Sequence, residues 1–301
     1  MEETEHCGWS EGRQYSLPRL CYDIPRQVTM IDDVSDISTF YNNSPEKEHE
    51  RLEEHQLENE ITWRYLKRYL PARGSILEVG AATGRYTLEL ARKGYQVTAV
   101  DISLKLLEFN HRAAAAAKLL KKIRYIHGDA RQLPDKVGEG FRAALLMGPL
   151  YHLIHESDRR LALQQAHARL RPGGIIFTTF ISRYGLFADL LKTMPEWIEQ
   201  RQEVKSVLAI GRDPEDYPKG GFRGYFAIPS ELAPLHESAG FETLVVAASE
   251  PLIGADDDSY NRLTGKQHKL WLDRLFEMST EPSLIGASRH LLYIGRKVQS
   301  P

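Results

Sequence analysis

The sequence predicts an α/β protein built on a doubly wound, mostly parallel sheet of seven strands. Three observations predict it. Short apolar runs alternate with helix-period segments through residues 75–181. A glycine-bounded turn, Gly80-Ala81-Ala82-Thr83-Gly84, follows the first of those runs, and acids stand at the ends of the next two, Asp101 and Asp129. Such alternation builds a parallel sheet with helices on both faces and right-handed crossovers.

In chain order, residues 1–40 have little apolar periodicity, scattered Pro and Gly, and the acids Asp32, Asp33 and Asp36. They read as a loosely structured arm, with the domain itself at 41–301. Ser44-Pro45-Glu46 has the form of a helix start, with Ser at the N-cap and Pro at the first helical position. The helix it opens runs to Leu70 and places Leu52, Leu57, Ile61, Tyr65 and Leu66 near one face, a helical cover ahead of the sheet. Strands follow at 75–79, 96–100, 123–127, 143–147 and 174–181, separated by helical patterns at 85–93, 103–122 and 158–171.

After Ile181 the rhythm changes. A helix over 186–208 is interrupted at Pro195, a Gly/Pro/aromatic loop covers 212–226, and Pro229-Ser230-Glu231 opens a helix closing on Gly240. Strands at 241–249 and 290–297 flank an amphipathic helix at 266–279 and form an antiparallel edge on the parallel sheet. Residues 183–226 and 250–289 read as inserted lid segments that shape a second ligand pocket.

Composition excludes several classes. The 301 residues carry 39 Lys+Arg against 41 Asp+Glu, a net charge of -2, which is unlike a phosphate-neutralising surface. No apolar run approaches a membrane span. The acidic start lacks the plan of a signal peptide, so a cytoplasmic protein is expected. Cys7 and Cys21 suit neither a disulfide framework nor a zinc site.

The chemistry concentrates at the glycine turn, where a doubly wound sheet binds its ligand. A dinucleotide fingerprint starting at Gly80 would need Gly at 82 and 85, which are Ala82 and Arg85, so NAD and FAD are disfavoured. The pattern Glu78-x-Gly80-x-x-x-Gly84 is met in full. Asp101 can accept hydrogen bonds from ribose hydroxyls, and Asp129 can meet an adenine amino group. Three acids at successive strand ends make one constellation, although each alone reads as a cap or turn residue.

The segments ILEVGAATGRYTLELA, VTAVDIS, IHGDARQLP, ALLMGPLYHL and LRPGGIIFTTF together resemble the class I S-adenosylmethionine (SAM)-dependent methyltransferases. The likeness is nearest to the broad group that includes the ubiquinone/menaquinone C-methyltransferases. It covers 41–182 well and 228–297 more loosely. By that resemblance SAM is the cofactor and the fold is Rossmann-like. Gly80, Ala81 and Gly84 would cradle the methionine part, Asp101 the ribose, and Ile102 the adenine face. Asp129 and Ala130 would meet the adenine edge, and Met147 would lie near the sulfonium. Ala82, where the family often has a third glycine, adds one methyl; Glu78, often Asp, keeps the charge. Tyr41 and Arg51 fall where related enzymes place a helical cover, with Arg51 toward the SAM carboxylate; a solvated helix face is the plainer alternative.

SAM is already an activated electrophile, so the protein mainly orients the acceptor, and a base is needed only if the acceptor must lose a proton. Tyr151 and His152, in Gly148-Pro149-Leu150-Tyr151-His152 after the fourth strand, are the candidates for that role. His155 and His127 are weaker ones, while His49, His55 and His111 lie on charged helices and are expected to face solvent. Enzymes methylating base amines carry an Asn/Asp-Pro-Pro-Tyr/Phe turn here, and this chain does not. A small-molecule acceptor, no nucleic acid and no membrane are therefore expected, with Tyr184, Phe187, Trp197, Tyr217, Phe222, Tyr225 and Phe226 lining its pocket or the lid core. Gly220-Gly221 reads as a hinge or a turn. A SAM-binding protein without turnover is the alternative. Neither the acceptor atom nor the oligomeric state is legible.

Overall fold

A computed structural model describes residues 31–214 and 223–298. Among them the sheet has eight strands: β1 (Ser75–Val79), β2 (Gln96–Asp101), β3 (Ile123–His127), β4 (Phe141–Leu146), β5 (Leu170–Ser182), β6 (Phe226–Ala227), β7 (Phe241–Ala248) and β8 (His290–Lys297). Seven follow the order β3-β2-β1-β4-β5-β8-β7, and β6 pairs with the end of β5. β1 to β5 are parallel, while β8 is antiparallel to both β5 and β7, the edge expected from the sequence. The strand beyond the expected seven, β6, is two residues long, joining Ile181 to Phe226 and Ser182 to Ala227 within the stretch read as lid. So short a strand has no alternation to read.

Strand order reverses between β1 and β4, and the crevice at such a switch point receives the ligand. The central strands are buried on both sides. Leu77, Val79, Leu146 and Ile176 pack into one apolar layer, and Ile76, Ala143, Leu145 and Phe177 into the other. That is why these runs are continuously apolar rather than alternating.

The cover consists of three helices. Ser35–Asn43 begins inside the stretch read as a loose arm, because its inward residues are Asp36 and Ile37 rather than an apolar stripe. It docks on the turn after β2 through Ser38 Oγ to Ile102 O at 3.1 Å and Ser103 Oγ to Asn42 Oδ1 at 2.8 Å. The single helix expected from Ser44 to Leu70 is two, Pro45–Glu54 and Gln56–Tyr69, broken at His55. Pro45 is at the first turn as expected, but the Ser44 side chain makes no capping bond. The rest of the arm, residues 1–30, lies outside the described residues.

Pro195 interrupts the lid as expected, between helices Arg183–Thr193 and Arg201–Ile210. Phe187 meets Trp197 edge-on at 5.4 Å in a small apolar cluster with Val207 and Phe226. The helix Gly265–Met278 instead supports the cover: Tyr65 OH lies 2.7 Å from Ser279 Oγ, and its ring is 4.9 Å from Phe276. No helix among the described residues is long and apolar enough to cross a membrane.

Candidate active site

The turn after β1 is shaped by its backbone. The N–H groups of Gly80 and Ala81 both donate to Val100 O, at 2.8 and 3.1 Å. Gly80 has φ +78°, and a Cβ there would fall 2.6 Å from Cδ of Pro149. Ala82 takes φ +46°, so its methyl sits on a left-handed backbone rather than merely adding bulk. Its N–H donates to Asp101 Oδ2 at 2.9 Å, and Ser103 N–H donates to Oδ1 at 2.8 Å. Asp101 is thereby fixed at the cleft with each oxygen still able to accept a second bond. Burial raises its pKa to about 6 against the pull of those two donors.

Glu78 keeps less charge than its residue type implies. It is buried and accepts from Thr87 Oγ1 at 2.6 Å. Burial, with Asp101 nearby, raises it to about 8 despite that bond, so it is largely protonated at neutral pH. Thr87 accepts from Asn110 Nδ2 at 3.0 Å, and Tyr125 OH donates to Asn110 Oδ1 at 2.8 Å. A polar chain thus runs beneath the turn. Gly84 belongs to this support and does not border the cleft: it caps Arg85–Arg92 at φ +103°, where a Cβ would meet Asn110 Oδ1 at 2.6 Å.

The other sequence-selected residues come together. Tyr41, Arg51, Glu78, Gly80, Ala81, Asp101, Ile102, Asp129, Ala130, Met147, Tyr151 and His152 border one cleft, with Val34, Ile37 and Leu106 adding apolar wall. Two of them carry partners that the sequence did not reveal. Arg51 forms a two-bond pair with Glu48, at 2.9 and 2.8 Å. Asp129 is held by the buried Arg131 at 2.7 Å, which also bonds Asp158 Oδ2 at 2.8 Å and Asp32 O at 2.7 Å. The Arg131 pair with Asp129 is only two residues apart, but Asp158 lies 27 positions away and has no local signal.

His152 is not open at both nitrogens. Tyr41 OH lies 2.8 Å from its Nε2, and Nδ1 lies 3.4 Å from Arg223 O. Burial lowers His152 to about 4, so it is neutral at pH 7. Burial likewise raises Tyr41 and Tyr151 well above the ordinary tyrosine range. Arg223 closes the roof, pairing with Asp32 at 2.8 Å and Asp36 at 2.9 Å, and Tyr225 N–H donates to Tyr151 O at 2.7 Å. Among the weaker histidines, His127 Nε2 lies 3.0 Å from Ile102 O, and His155 Nδ1 lies 3.4 Å from Arg212.

A second cavity adjoins the cleft and shares Tyr41, Glu48, Arg51 and Tyr151 with it. Leu186, Leu190, Met194, Trp197 and Phe226 give it an apolar side, and Asp189, Asp213, His55, Arg289 and His290 a polar one. Of the 250–289 stretch, Arg289 alone among the described residues borders it. Tyr184 is exposed, and Tyr225 is buried with the Arg159 guanidinium 3.5 Å over its ring; both stand apart from the cavity lining. Tyr217, Phe222 and Gly220-Gly221 lie outside the described residues.

His55 is buried rather than solvent-facing, because the helix break turns it toward Asp257 (3.0 Å) and Arg289 (2.9 Å). His290 Nδ1 lies 2.7 Å from Oε1 of the fully buried Glu250. Donor atoms of Glu58, Glu250 and His290 fall within 4.8 Å of one another. Glu58 is paired with Arg85 at 3.2 Å and Glu250 with His290 Nδ1 at 2.7 Å, so each carboxylate already has a charged or imidazole partner.

Comparison with known proteins assigns the class. Residues 76–174 match the family described as a methyltransferase domain. The chain is 29% identical over 137 residues to the tRNA 5-carboxymethoxyuridine methyltransferase of Escherichia coli (strain K12), covering 44% of this chain and 51% of the relative. It is 29% identical over 138 residues to the glycine/sarcosine N-methyltransferase of Aphanothece halophytica, covering 41% and 51%. The chain thus spans about half the length of these curated relatives. The fold is shared with a SAM-dependent methyltransferase from Methanosarcina mazei (TM-score 0.53, 18% identity, 78% and 98% coverage). It is also shared with the magnesium protoporphyrin IX methyltransferase of Synechocystis, solved with bound S-adenosylhomocysteine (0.54, 12%, 88% and 100%). The fold is the Rossmann-like one of these methyltransferases, and the matched domain lies at its centre. Over residues 76–174 the chain is similar to methyltransferase domains, and it shares the Rossmann-like fold of SAM-dependent methyltransferases, for which SAM is the cofactor.

The residues present fit that cofactor. A carboxylate positioned by two backbone donors suits a ribose diol, the apolar wall of Ile37, Ile102 and Leu106 suits a purine, and the turn at Gly80 and Ala81 leaves backbone close to the cleft.

Proposed function

We propose that this protein transfers a methyl group from SAM to a small-molecule acceptor by in-line displacement. The observation that carries the reading is the second cavity, walled by the lid and joined to the cofactor cleft through Tyr41, Glu48, Arg51 and Tyr151. Asp101 would hold the ribose, Ile102 would pack on the adenine, and Asp129 and Ala130 would meet its edge. Gly80 and Ala81 would cradle the methionine part, with Met147 near the sulfonium and Arg51 toward its carboxylate. When bound, SAM supplies an activated methyl whose departure leaves a neutral thioether. The protein's share is orientation and exclusion of water, the main source of rate for such a reaction. The cover and the Arg223 contacts to Asp32 and Asp36 exclude water. Tyr151 sits between the two spaces to orient the acceptor, and His152 fixes the Tyr41 hydroxyl through its Nε2 contact.

A nucleic-acid acceptor is the second reading, favoured by the likeness to the E. coli tRNA methyltransferase. The net charge of -2 and the lid-walled cavity favour a small acceptor over it. The test is calorimetry with SAM, S-adenosylhomocysteine and NAD. Methyl-labelled SAM is then incubated with a small-molecule cell filtrate and, separately, with total tRNA. Label entering the filtrate supports the proposal and label entering tRNA replaces it. Binding of SAM without transfer to either would leave a non-catalytic SAM-binding protein, and NAD binding without SAM binding would sink both readings.

A further inference from the structure

We infer that the His290–Glu250 pair is the proton acceptor of this site, taking the N–H or O–H proton of a small-molecule nucleophile seated in the second cavity. The inference deepens the methyltransferase reading and rests on it.

The geometry is that of an oriented imidazole. Glu250 is fully buried, and its Oε2 accepts from the His290 backbone N–H at 2.9 Å and from Ser288 Oγ at 3.0 Å. Its Oε1 takes Nδ1–H of His290 at 2.7 Å. A carboxylate on Nδ1 fixes the tautomer whose Nε2 carries the lone pair. Nε2 has no hydrogen-bond partner among the described residues, and the ring borders the cavity. His152 differs on each point: Tyr41 occupies its Nε2, and burial keeps it a weak base.

The groups around His290 support a proton held there. Burial works against the imidazolium, yet Glu250 and Glu58 outweigh it and raise the pKa, with Arg51 acting the other way. The His55 ring lies 5.9 Å away, and Arg289, the preceding residue, is paired with Asp189 and Asp257. A base titrating above the ordinary histidine value suits reaction near neutral pH. As the acceptor atom bonds to the methyl carbon, the sulfur–carbon bond breaks and its electron pair stays on sulfur. The acceptor's proton passes to Nε2 and leaves by exchange with water in the cavity.

The test combines two readouts. In protein with isotope-labelled histidine, followed by NMR against pH and assigned with His290→Gln, the His290 ring is expected to titrate above about 6.5. Glu250→Gln is expected to move that titration down by about one unit or more. A ring that does not titrate between about pH 5 and 9, or whose titration ignores Glu250→Gln, overturns the inference. With methyl-labelled SAM and the small-molecule filtrate, His290→Gln is expected to lose about 100-fold or more of the transfer while SAM affinity holds. Glu250→Asp, which keeps the carboxylate, is expected to retain more transfer than Glu250→Gln, and it decides the matter should His290→Gln not fold. Equal transfer by wild type and His290→Gln would overturn the His290 assignment alone; a wild-type protein that binds no SAM would overturn the underlying reading.

Discussion

The Tyr41 hydroxyl lies 2.8 Å from Nε2 of His152, tying the first cover helix to the turn after β4. Burial is what keeps the imidazole at this strand end neutral. It also has a consequence for acid stability. His152 titrates at about 4 in the folded protein against about 6.5 when unfolded, so between those values the unfolded chain binds more protons. Stability from this residue is present above about pH 6.5 and is lost as pH falls toward 4, at up to about 1.4 kcal/mol per pH unit. His152→Gln should flatten that loss, as measured by urea denaturation at several pH values. An unchanged slope would show that His152 is not the titrating group.

Asp101 makes a binding prediction. Asp101→Ala should weaken SAM by about 1.5–3 kcal/mol, the range for hydrogen bonds to a charged group. Because the carboxyl titrates at about 6 and the ionised form is the acceptor, wild-type affinity should fall below that pH, approaching tenfold per unit. Calorimetry across pH checks both, and the acid fall should be absent in Asp101→Ala.

At Gly80 a side chain has no room. Gly80→Ala sets a Cβ on a left-handed backbone 2.6 Å from Pro149. It should destabilise the protein by about 1–3 kcal/mol through strain at that backbone and weaken SAM in parallel. Thermal melts with and without SAM report the two effects.

Arg131 joins Asp129 and Asp158 with almost no solvent access. Arg131→Met leaves the buried Asp158 unpaired and should lose about 3–5 kcal/mol, whereas adding Asp158→Leu should recover much of it. Chemical denaturation of the single and double variants tests this. Additive losses would mean that the pair does not couple.

What the sequence disclosed follows from how local each signal is. The strands announced themselves because burial on both faces demands unbroken apolar runs such as 75–79 and 143–147. The turn at Gly80 and the acid at Asp101 were legible because backbone conformation and strand-end position are local properties. At Gly84 the glycine shows in the sequence but its neighbour does not: a Cβ there would meet Asn110, 26 positions on. Asp36, Arg223, His55 and Asp257 were invisible as a group, since charge pairs across 187 and 202 positions leave no periodic trace. The charge of Glu78 misled for a related reason, because residue type says nothing about the water a side chain loses on folding.

The Arg289–His55 contact joins positions 234 apart, and His290 follows it directly. Gly80, Asp101 and Asp129, by contrast, all lie within the segment from β1 to the turn after β3. During synthesis, then, the segments that form the glycine turn emerge early, while the second cavity waits for β8, the last described strand, which carries His290. A chain cut short before β8 would lack His290 and the strand that joins β5 to β7.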